Sequence, residues 1–117
     1  SVEIFNPDIS SVGGIIDLIK IIELSHKKNV KVSPHCWNSM SIAASAMIHL
    51  CMSFPNTEMA EFFPEYIPYT LKFCNKNFEI NNGFIELDNR EGIGVKIDTN
   101  LLMENTSSYK FSILDKN

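Results

Sequence analysis

The sequence predicts an α/β fold in which short parallel strands alternate with helices, followed by a β-rich C-terminal segment. Two stretches of helical length separate three short runs of strand character in the first half of the chain. Strands that alternate with helices over short connections favour a parallel sheet with right-handed crossovers. In the second half, an Asn-Gly turn between two apolar runs is typical of a β-hairpin.

The first strand is predicted at residues 2–6, and it ends at the Asn6-Pro7 dipeptide. Asp8 follows at once. An ionisable side chain directly after a strand is a candidate functional group, because the carboxyl ends of parallel strands carry the active sites of α/β enzymes.

An amphipathic helix is predicted at residues 15–28. Ser10 and Ser11 are candidate N-caps, and Gly13-Gly14 at the helix entry would allow a backbone or ligand to approach closely. Four apolar residues recur at i, i+3, i+4 and i+7 and so share one face: Ile15, Leu18, Ile19 and Ile22.

The second strand is predicted at residues 30–33 and leads through proline to His35. A second helix is predicted at residues 39–53, with Asn38 and Ser39 as candidate N-caps. This helix has small or apolar side chains nearly all round, such as Ala43, Ala44, Ala46, Met47 and Met52. We therefore expect other elements to cover it on more than one side.

The third strand is predicted at residues 58–62, and Glu61 lies at its end. His35 follows Asp8 by 27 positions, and Glu61 follows His35 by 26. One strand-helix unit therefore separates each ionisable residue from the next, which predicts that all three lie at one edge of the sheet. The alternative is coincidence, since acidic residues are common near loops.

In the second half of the chain, the sequence pattern predicts few helices. Residues 64–73 have no helical period, residues 78–87 carry the hairpin pattern, and residues 92–97 resemble a strand interrupted by glycines. The Gly-x-Gly in the last of these does not indicate a nucleotide site, because it lacks a third glycine and a following helix. Asp98-Thr99 is a candidate cap for one helical turn.

Composition and charge exclude several classes of function. The 117 residues are 44% hydrophobic, which suits one globular domain. A net charge of -4 with a single arginine, Arg90, argues against a nucleic-acid partner. No apolar run reaches the ~18 residues that span a bilayer, and no signal-peptide pattern is visible. The three cysteines form no C-x-x-C pair, which predicts reduced thiols in a cytoplasmic protein.

His35 and its neighbours allow several interpretations. His35 is a catalytic base or a hydrogen-bonded loop histidine, and Trp37 either lines a pocket or packs. A Cys36–His35 nucleophile pair is disfavoured because adjacent residues on an extended chain point apart. A zinc site from these two and His49 lacks ligand-pair spacing.

Three parallel strands leave two sheet edges and one face of the sheet in need of cover. We therefore expect that the chain is a fragment of a longer protein or that it associates with other chains. A first strand that begins almost at the first residue favours a fragment.

Two motifs resemble one enzyme family closely. Asn6-Pro7-Asp8-Ile9-Ser10-Ser11-Val12-Gly13-Gly14-Ile15 is followed by Val32-Ser33-Pro34-His35-Cys36-Trp37. Both are similar to the C-terminal barrel segment of the enolase superfamily, in its mandelate racemase/muconate lactonizing branch. Weaker likeness continues through Phe54-Pro55-Asn56-Thr57, Glu61 and Phe84-Ile85-Glu86-Leu87 to about residue 102.

The resemblance implies an incomplete TIM-like barrel. Residues 1–72 would form the last three strands of a (β/α)7β barrel with their intervening helices. Residues 73–117 would form a β-rich segment that packs back toward the barrel and a capping domain.

The resemblance also implies roles for the site residues. Asp8 and His35 would form a dyad in which the histidine acts on the proton α to a carboxylate, or protonates a departing β-hydroxyl. Glu61 would hydrogen-bond a substrate carboxylate oxygen. The residues themselves, apart from the resemblance, favour Cys36 as a small pocket-lining residue, and Trp37 either lines the substrate pocket or packs. The Pro-His-Cys-Trp run is closer to the acid-sugar dehydratases than to mandelate racemase.

Family members bind Mg²⁺ through three carboxylates on earlier strands, and a lysine supplies the opposite base. This chain contains none of those strands, so we expect it to bind no metal and to be inactive alone. The complete enzyme would bind Mg²⁺ and a small sugar acid in the cytoplasm. The chain would form a homo-oligomer or associate with the missing N-terminal part.

Two classes of function follow. The first is an enzyme segment, either of an acid-sugar dehydratase or of a mandelate racemase-type racemase or epimerase. The second is a non-catalytic remnant whose strand edges self-associate. The presence of the carboxylate triad and the lysine in the source chain or a partner distinguishes them.

Overall fold

The computed structural model describes residues 2–36, 41–75 and 77–106. Its strands are β1 (Ile4–Phe5), β2 (Lys31–Val32), β3 (Phe78–Asn81) and β4 (Phe84–Leu87). Its α-helices are α1 (Ile15–Lys27), α2 (Ser41–Ser53), α3 (Ile67–Thr70) and α4 (Thr99–Glu104). Trp37, the candidate caps Asn38 and Ser39, and the tail from residue 107 lie outside the described residues.

Strands β1 and β2 pair in parallel, as predicted, with Phe5 opposite Val32. The Ser33 N–H donates to the Phe5 carbonyl at 2.9 Å. The pairing resumes further along as a parallel bridge between Asp8 and His35. These two residues therefore lie side by side where the strands end.

Helix α1 connects the two strands and buries part of its predicted apolar face. Leu18 and Ile22 are completely buried and Ile19 is half-buried, whereas Ile15 is exposed. Ser10 and Ser11 are not its N-caps, so that prediction is wrong, because their backbone N–H groups bind a preceding carboxylate. The helix begins after Gly14, which has a φ of 89° and no capping side chain.

Helix α2 is buried on nearly every side, which confirms the prediction that other elements pack around it. Its buried residues are Ser41, Ala44, Ser45, Ala46, Met47, Ile48 and Leu50. Consecutive residues from 44 to 48 point in all directions around a helix, so the cover comes from several elements. Across the described ranges, no helix combines the length and apolarity that a membrane crossing requires.

The third strand predicted at residues 58–62 does not form. Only Thr57 pairs with β2, through a parallel bridge to Val32. Val32 exchanges backbone hydrogen bonds of 2.8 and 3.3 Å with the residues on either side of Thr57. In the described chain the ladder stops there, because the next position of the β2 segment that would donate is Pro34, which has no N–H.

The predicted hairpin is confirmed. Strands β3 and β4 pair antiparallel, with Asn81 opposite Phe84. The turn residues Asn82 and Gly83 have φ values of 52° and 82°. Positive φ at both positions is the geometry that an Asn-Gly turn supplies.

Two further predictions for the second half are wrong. Residues 64–73 are not irregular throughout, because Pro64 opens a 3-10 turn that continues into α3. Residues 92–97 are not a strand, because Gly92 and Gly94 have φ values of 63° and 69°. By contrast, Asp98 caps α4 as predicted, accepting a hydrogen bond from the Leu101 N–H at 3.0 Å.

A buried polar cluster joins α2 to the C-terminal segment. The Ser45 hydroxyl lies 3.0 Å from Asn77 Oδ1 and also contacts the Ile93 carbonyl, and that carbonyl accepts a hydrogen bond from Asn77 Nδ2. Beside it, the rings of Phe62 and Phe78 meet edge to face at 5.4 Å. The hairpin therefore packs on the same core as α1 and α2.

Candidate active site

Asp8 uses both carboxylate oxygens. Oδ1 accepts hydrogen bonds from the backbone N–H groups of Ser10 and Ser11 at 2.8 and 2.9 Å. Oδ2 lies 2.8 Å from Nδ1 of His35. The turn after β1 therefore fixes the carboxylate group and directs its second oxygen at the imidazole.

The protonation state of Asp8 follows from these contacts. Burial raises the pKa of Asp8, but the hydrogen bonds from His35, Ser11 and Ser10 outweigh burial and bring the pKa below its ordinary value of 3.8. Asp8 is therefore an anion at neutral pH, and an anion opposite Nδ1 favours the proton on that nitrogen. In the neutral ring, Nε2 then carries the lone pair.

His35 is held by its backbone as well as by its ring. Its N–H donates to the Pro7 carbonyl at 2.9 Å, which continues the pairing between the two strand ends. Its side chain is 32% exposed, and Nε2 lies 3.6 Å from Oε2 of Glu61. The ring therefore stands between two carboxylates, with Nδ1 toward Asp8 and Nε2 toward Glu61.

Glu61 lies on the third extended segment, although that segment is not a regular strand. Its Oε2 accepts a hydrogen bond from the Cys36 N–H at 2.9 Å. Its side chain is 34% exposed, about as much as that of His35. The three candidate residues predicted from their spacing thus lie together at one edge of the parallel layer.

Cys36 contributes to this site through its backbone. Its side chain is 5% exposed and belongs to the hydrophobic core, which differs from the pocket-lining position predicted from the sequence. The sequence analysis missed the N–H of Cys36 as a functional group. No local pattern identifies it, because its partner Glu61 is distant in the sequence.

A second missed contact is the hydrogen bond from the Ser33 hydroxyl to the Met59 carbonyl, at 3.0 Å. It joins the end of β2 to the segment that carries Glu61. The Ser-Pro dipeptide at residues 33–34 was a usable signal, because proline ends the backbone pairing and a neighbouring hydroxyl can supply a side-chain hydrogen bond there.

The other histidines do not join the site. His26 is exposed near the end of α1, and His49 on α2 lies 2.8 Å through its Nδ1 from the Ser45 carbonyl. Within residues 2–36, 41–75 and 77–106, no three His, Cys, Asp or Glu side chains are grouped so that they would hold a metal ion. Asp8 and Glu61 contact His35 and its neighbour instead. The described residues thus do not fit a Mg²⁺ site.

Parallel strands joined by a helix, with ionisable groups at their carboxyl ends, are typical of enzymes built on α/β sheets and barrels. A model of the enolase C-terminal domain-like family matches residues 1–101. The chain belongs to this family. The predicted superfamily and its barrel architecture are thereby confirmed.

Solved structures share the fold. An enolase from environmental shotgun sequencing of the Sargasso Sea is 45% identical, with a TM-score of 0.84 over 91% of this chain and 28% of that chain. An enolase from Pantoea ananatis, crystallised with D-gluconate and magnesium, is 25% identical, with a TM-score of 0.80 over 87% of this chain and 25% of that chain.

Curated relatives are acid-sugar enzymes. The D-galactonate dehydratase of Verminephrobacter eiseniae is 29% identical over 111 residues, covering 88% of this chain and 28% of the relative. The L-talarate/galactarate dehydratase of Salmonella typhimurium is 30% identical over 88 residues, covering 75% of this chain and 20% of the relative. The chain therefore spans less than a third of the length of these proteins.

Proposed function

We propose that this chain is the acid/base part of an acid-sugar dehydratase in the mandelate racemase branch of the enolase superfamily. The observation that carries the proposal is the 2.8 Å contact between Asp8 Oδ2 and His35 Nδ1. The names of the relatives, D-galactonate dehydratase and L-talarate/galactarate dehydratase, support the substrate class.

Dehydration of a sugar acid removes the proton α to the carboxylate and expels the β-hydroxyl. The electron pair of the broken C–H bond forms the enediolate and then the C=C bond, and the C–O bond breaks. The hydroxyl takes up a proton and leaves as water, and the resulting enol becomes a 2-keto-3-deoxy acid. The overall reaction needs one base and one acid and no external oxidant.

His35 supplies one of these proton transfers at Nε2. Asp8 keeps the proton on Nδ1 and stabilises the imidazolium once Nε2 is protonated. The imidazolium that forms is stabilised by the Asp8 carboxylate at Nδ1, and its Nε2 lies 3.6 Å from Glu61 Oε2. The dyad can therefore accept the α-proton or return a proton to the departing hydroxyl.

Glu61 is proposed to contact the substrate carboxylate. Its Oε2 is fixed by the Cys36 N–H, so the orientation of the carboxyl group is set before substrate binds. A carboxyl group that carries a proton donates a hydrogen bond to the oxygen on which negative charge develops. Glu61 would thus act at the carboxylate end of the substrate while His35 acts on the neighbouring carbon.

The described residues offer no cation for the negative charge of the enediolate, since they group no metal ligands and place no lysine at the site. We propose that the opposite base and the Mg²⁺ ligands belong to the remainder of the complete enzyme. The 117-residue chain alone would then be inactive. Metal-dependent dehydration or racemization by the purified chain would contradict this.

The proposal is tested on the complete protein that carries this chain. D-galactonate, galactarate and D-gluconate are supplied with magnesium, and the keto product is measured. His35→Asn is expected to reduce kcat by about 10²-fold or more. His26→Asn, the matched change at an exposed histidine, is expected to leave kcat unchanged.

Two outcomes would contradict the proposal. One is a His35→Asn enzyme with wild-type kcat, since the reaction would then use another acid or base. The other is a wild-type protein that forms no keto product from any of the three acids. Exchange of the α-proton with deuterium without loss of water would instead favour the racemase alternative.

A further inference from the structure

The end of β2 has a repeating pattern of donors. The N–H groups of Lys31, Ser33 and His35 face β1 and donate to its segment at 3.0, 2.9 and 2.9 Å. In a strand, the alternate N–H groups face the other side. Those of the even-numbered residues therefore face the segment that carries Glu61.

Of the backbone N–H groups on this second side of β2, only that of Val32 donates to a backbone carbonyl in the described chain. The Val32 N–H donates to Asn56 at 2.8 Å, and the Val32 carbonyl accepts from Glu58 at 3.3 Å. Pro34, which comes next, has no N–H and is fully buried. The N–H of Cys36 binds the Glu61 side chain instead of a backbone carbonyl.

The segment from Met59 to Glu61 thus approaches β2 without backbone pairing in the described chain, and side-chain contacts take its place. The first contact is the Ser33 hydroxyl, which donates to the Met59 carbonyl at 3.0 Å. It acts two residues before Glu61, at the point where the ladder has just stopped. A displacement at this point would move the carboxyl group of Glu61 relative to His35.

We infer that Ser33 is a positioning residue, whose hydroxyl holds the Glu61 segment against β2 beyond the point where Pro34 ends the backbone pairing and thereby sets Glu61 against the Cys36 N–H and His35 Nε2. The expected effect of Ser33 on catalysis rests on the proposed function. The effect of Ser33 on the position of Glu61 does not depend on that function. Ser33 itself does not touch the reacting atoms.

Ser33→Thr and Ser33→Val form the matched pair of variants. Threonine and valine have the same shape, but only threonine retains the hydroxyl group. Both are β-branched and favoured in strands, so a difference between them reports on the hydrogen bond and not on folding. Ser33→Ala is a third variant, which removes the hydroxyl without adding volume.

The first measurement uses the 117-residue chain labelled with ¹⁵N-cysteine, which gives three amide signals, from Cys36, Cys51 and Cys74. An amide bound to a carboxylate shifts when that carboxylate is protonated, so the Cys36 signal reports on its contact with Glu61. We expect a pH-dependent shift in Ser33→Thr that falls to less than about half in Ser33→Val, because hydrogen bonds weaken steeply with distance and angle. The Cys51 and Cys74 signals serve as internal controls.

The second measurement uses the complete enzyme. Loss of one hydrogen bond corresponds to about a 5-fold change, so kcat/KM is expected to fall about 5-fold in Ser33→Val and Ser33→Ala and to stay near wild type in Ser33→Thr. Equal Cys36 shifts in the threonine and valine variants would overturn the inference. An enzyme inactive on all three acid sugars, with the Cys36 difference present, would instead refute the proposed function alone.

Discussion

Asp8 Oδ2 lies 2.8 Å from His35 Nδ1 although 27 positions of sequence, including all of α1, separate the two residues. The contact joins the ends of neighbouring parallel strands. It leaves Nε2 as the nitrogen that faces Glu61. Asp8 should therefore affect catalysis indirectly, by orienting the His35 ring and by holding the proton on Nδ1.

Asp8→Asn in the complete enzyme tests this role. The amide keeps the shape of the side chain but removes the anion that holds the proton on Nδ1, so we expect kcat to fall about 10²- to 10⁴-fold with little change in KM. Asp17→Asn is the control, since Asp17 pairs only with exposed Lys20 in the described structure. A kcat for Asp8→Asn near that of the control would contradict the role.

The lowered pKa of Asp8 predicts a contribution to stability that depends on pH. A carboxyl group whose pKa is lower in the folded state stabilises the fold above its unfolded pKa, near 3.8, and this contribution is lost as the pH falls through the folded value. Urea denaturation of wild type and Asp8→Asn should therefore show a stability difference at pH 6 that shrinks below about pH 4. A difference that stays constant with pH would be inconsistent with an ionised Asp8 in the dyad.

Cys51 is predicted to react slowly with alkylating agents. Burial, and secondarily the nearby Cys36, raises the pKa of the Cys51 thiol to about 11 from an ordinary value of 9.0. Because the thiolate is the reactive form, the folded chain at pH 8 should be modified at Cys51 about 100-fold more slowly than the chain in denaturant. Peptide mapping after timed alkylation measures this ratio. Equal rates in both conditions would show that the thiol is not protected.

Gly94 and Gly92 offer a matched pair for the C-terminal segment. Both have positive φ, but a Cβ at Gly94 would lie 2.8 Å from Asn77, whereas a Cβ at Gly92 would meet nothing within 4 Å. Gly92→Ala should cost about 1 kcal/mol of unfolding free energy, from backbone conformation alone. Gly94→Ala should cost at least about 2 kcal/mol more, because the buried Asn77 must move. Equal losses of unfolding free energy for the two variants in denaturant titrations would show that the close approach of Gly94 to Asn77 does not affect stability.

The contact between the strand ends could be predicted from the sequence because few alternatives existed. Consecutive parallel strands end at the same edge of a sheet, so residues that follow each strand directly, such as Asp8 and His35, had to lie close together. Their catalytic role stays a prediction. The hairpin was equally predictable, since Asn82-Gly83 suits one type of turn.

The contacts around Glu61 could not be predicted in the same way. The third strand predicted at residues 58–62 does not form, because the pairing with β2 stops after Thr57, where Pro34 lacks the next N–H donor. Ser10 and Ser11 resembled helix caps, but their N–H groups bind Asp8. In each case the local sequence was compatible with two structures. The choice between them depended on a hydrogen-bond partner elsewhere in the chain or on the backbone N–H that proline lacks.

The three candidate residues all fall within one uninterrupted stretch, from Asp8 to Glu61. Most of the buried core, including Leu18, Ile22 and Met47, lies in the same stretch. A single stretch of chain therefore carries both the proposed proton-transfer groups and the scaffold that aligns them. Such a segment could be exchanged between barrels as one part, with the opposite base and the Mg²⁺ ligands supplied by the rest of each enzyme.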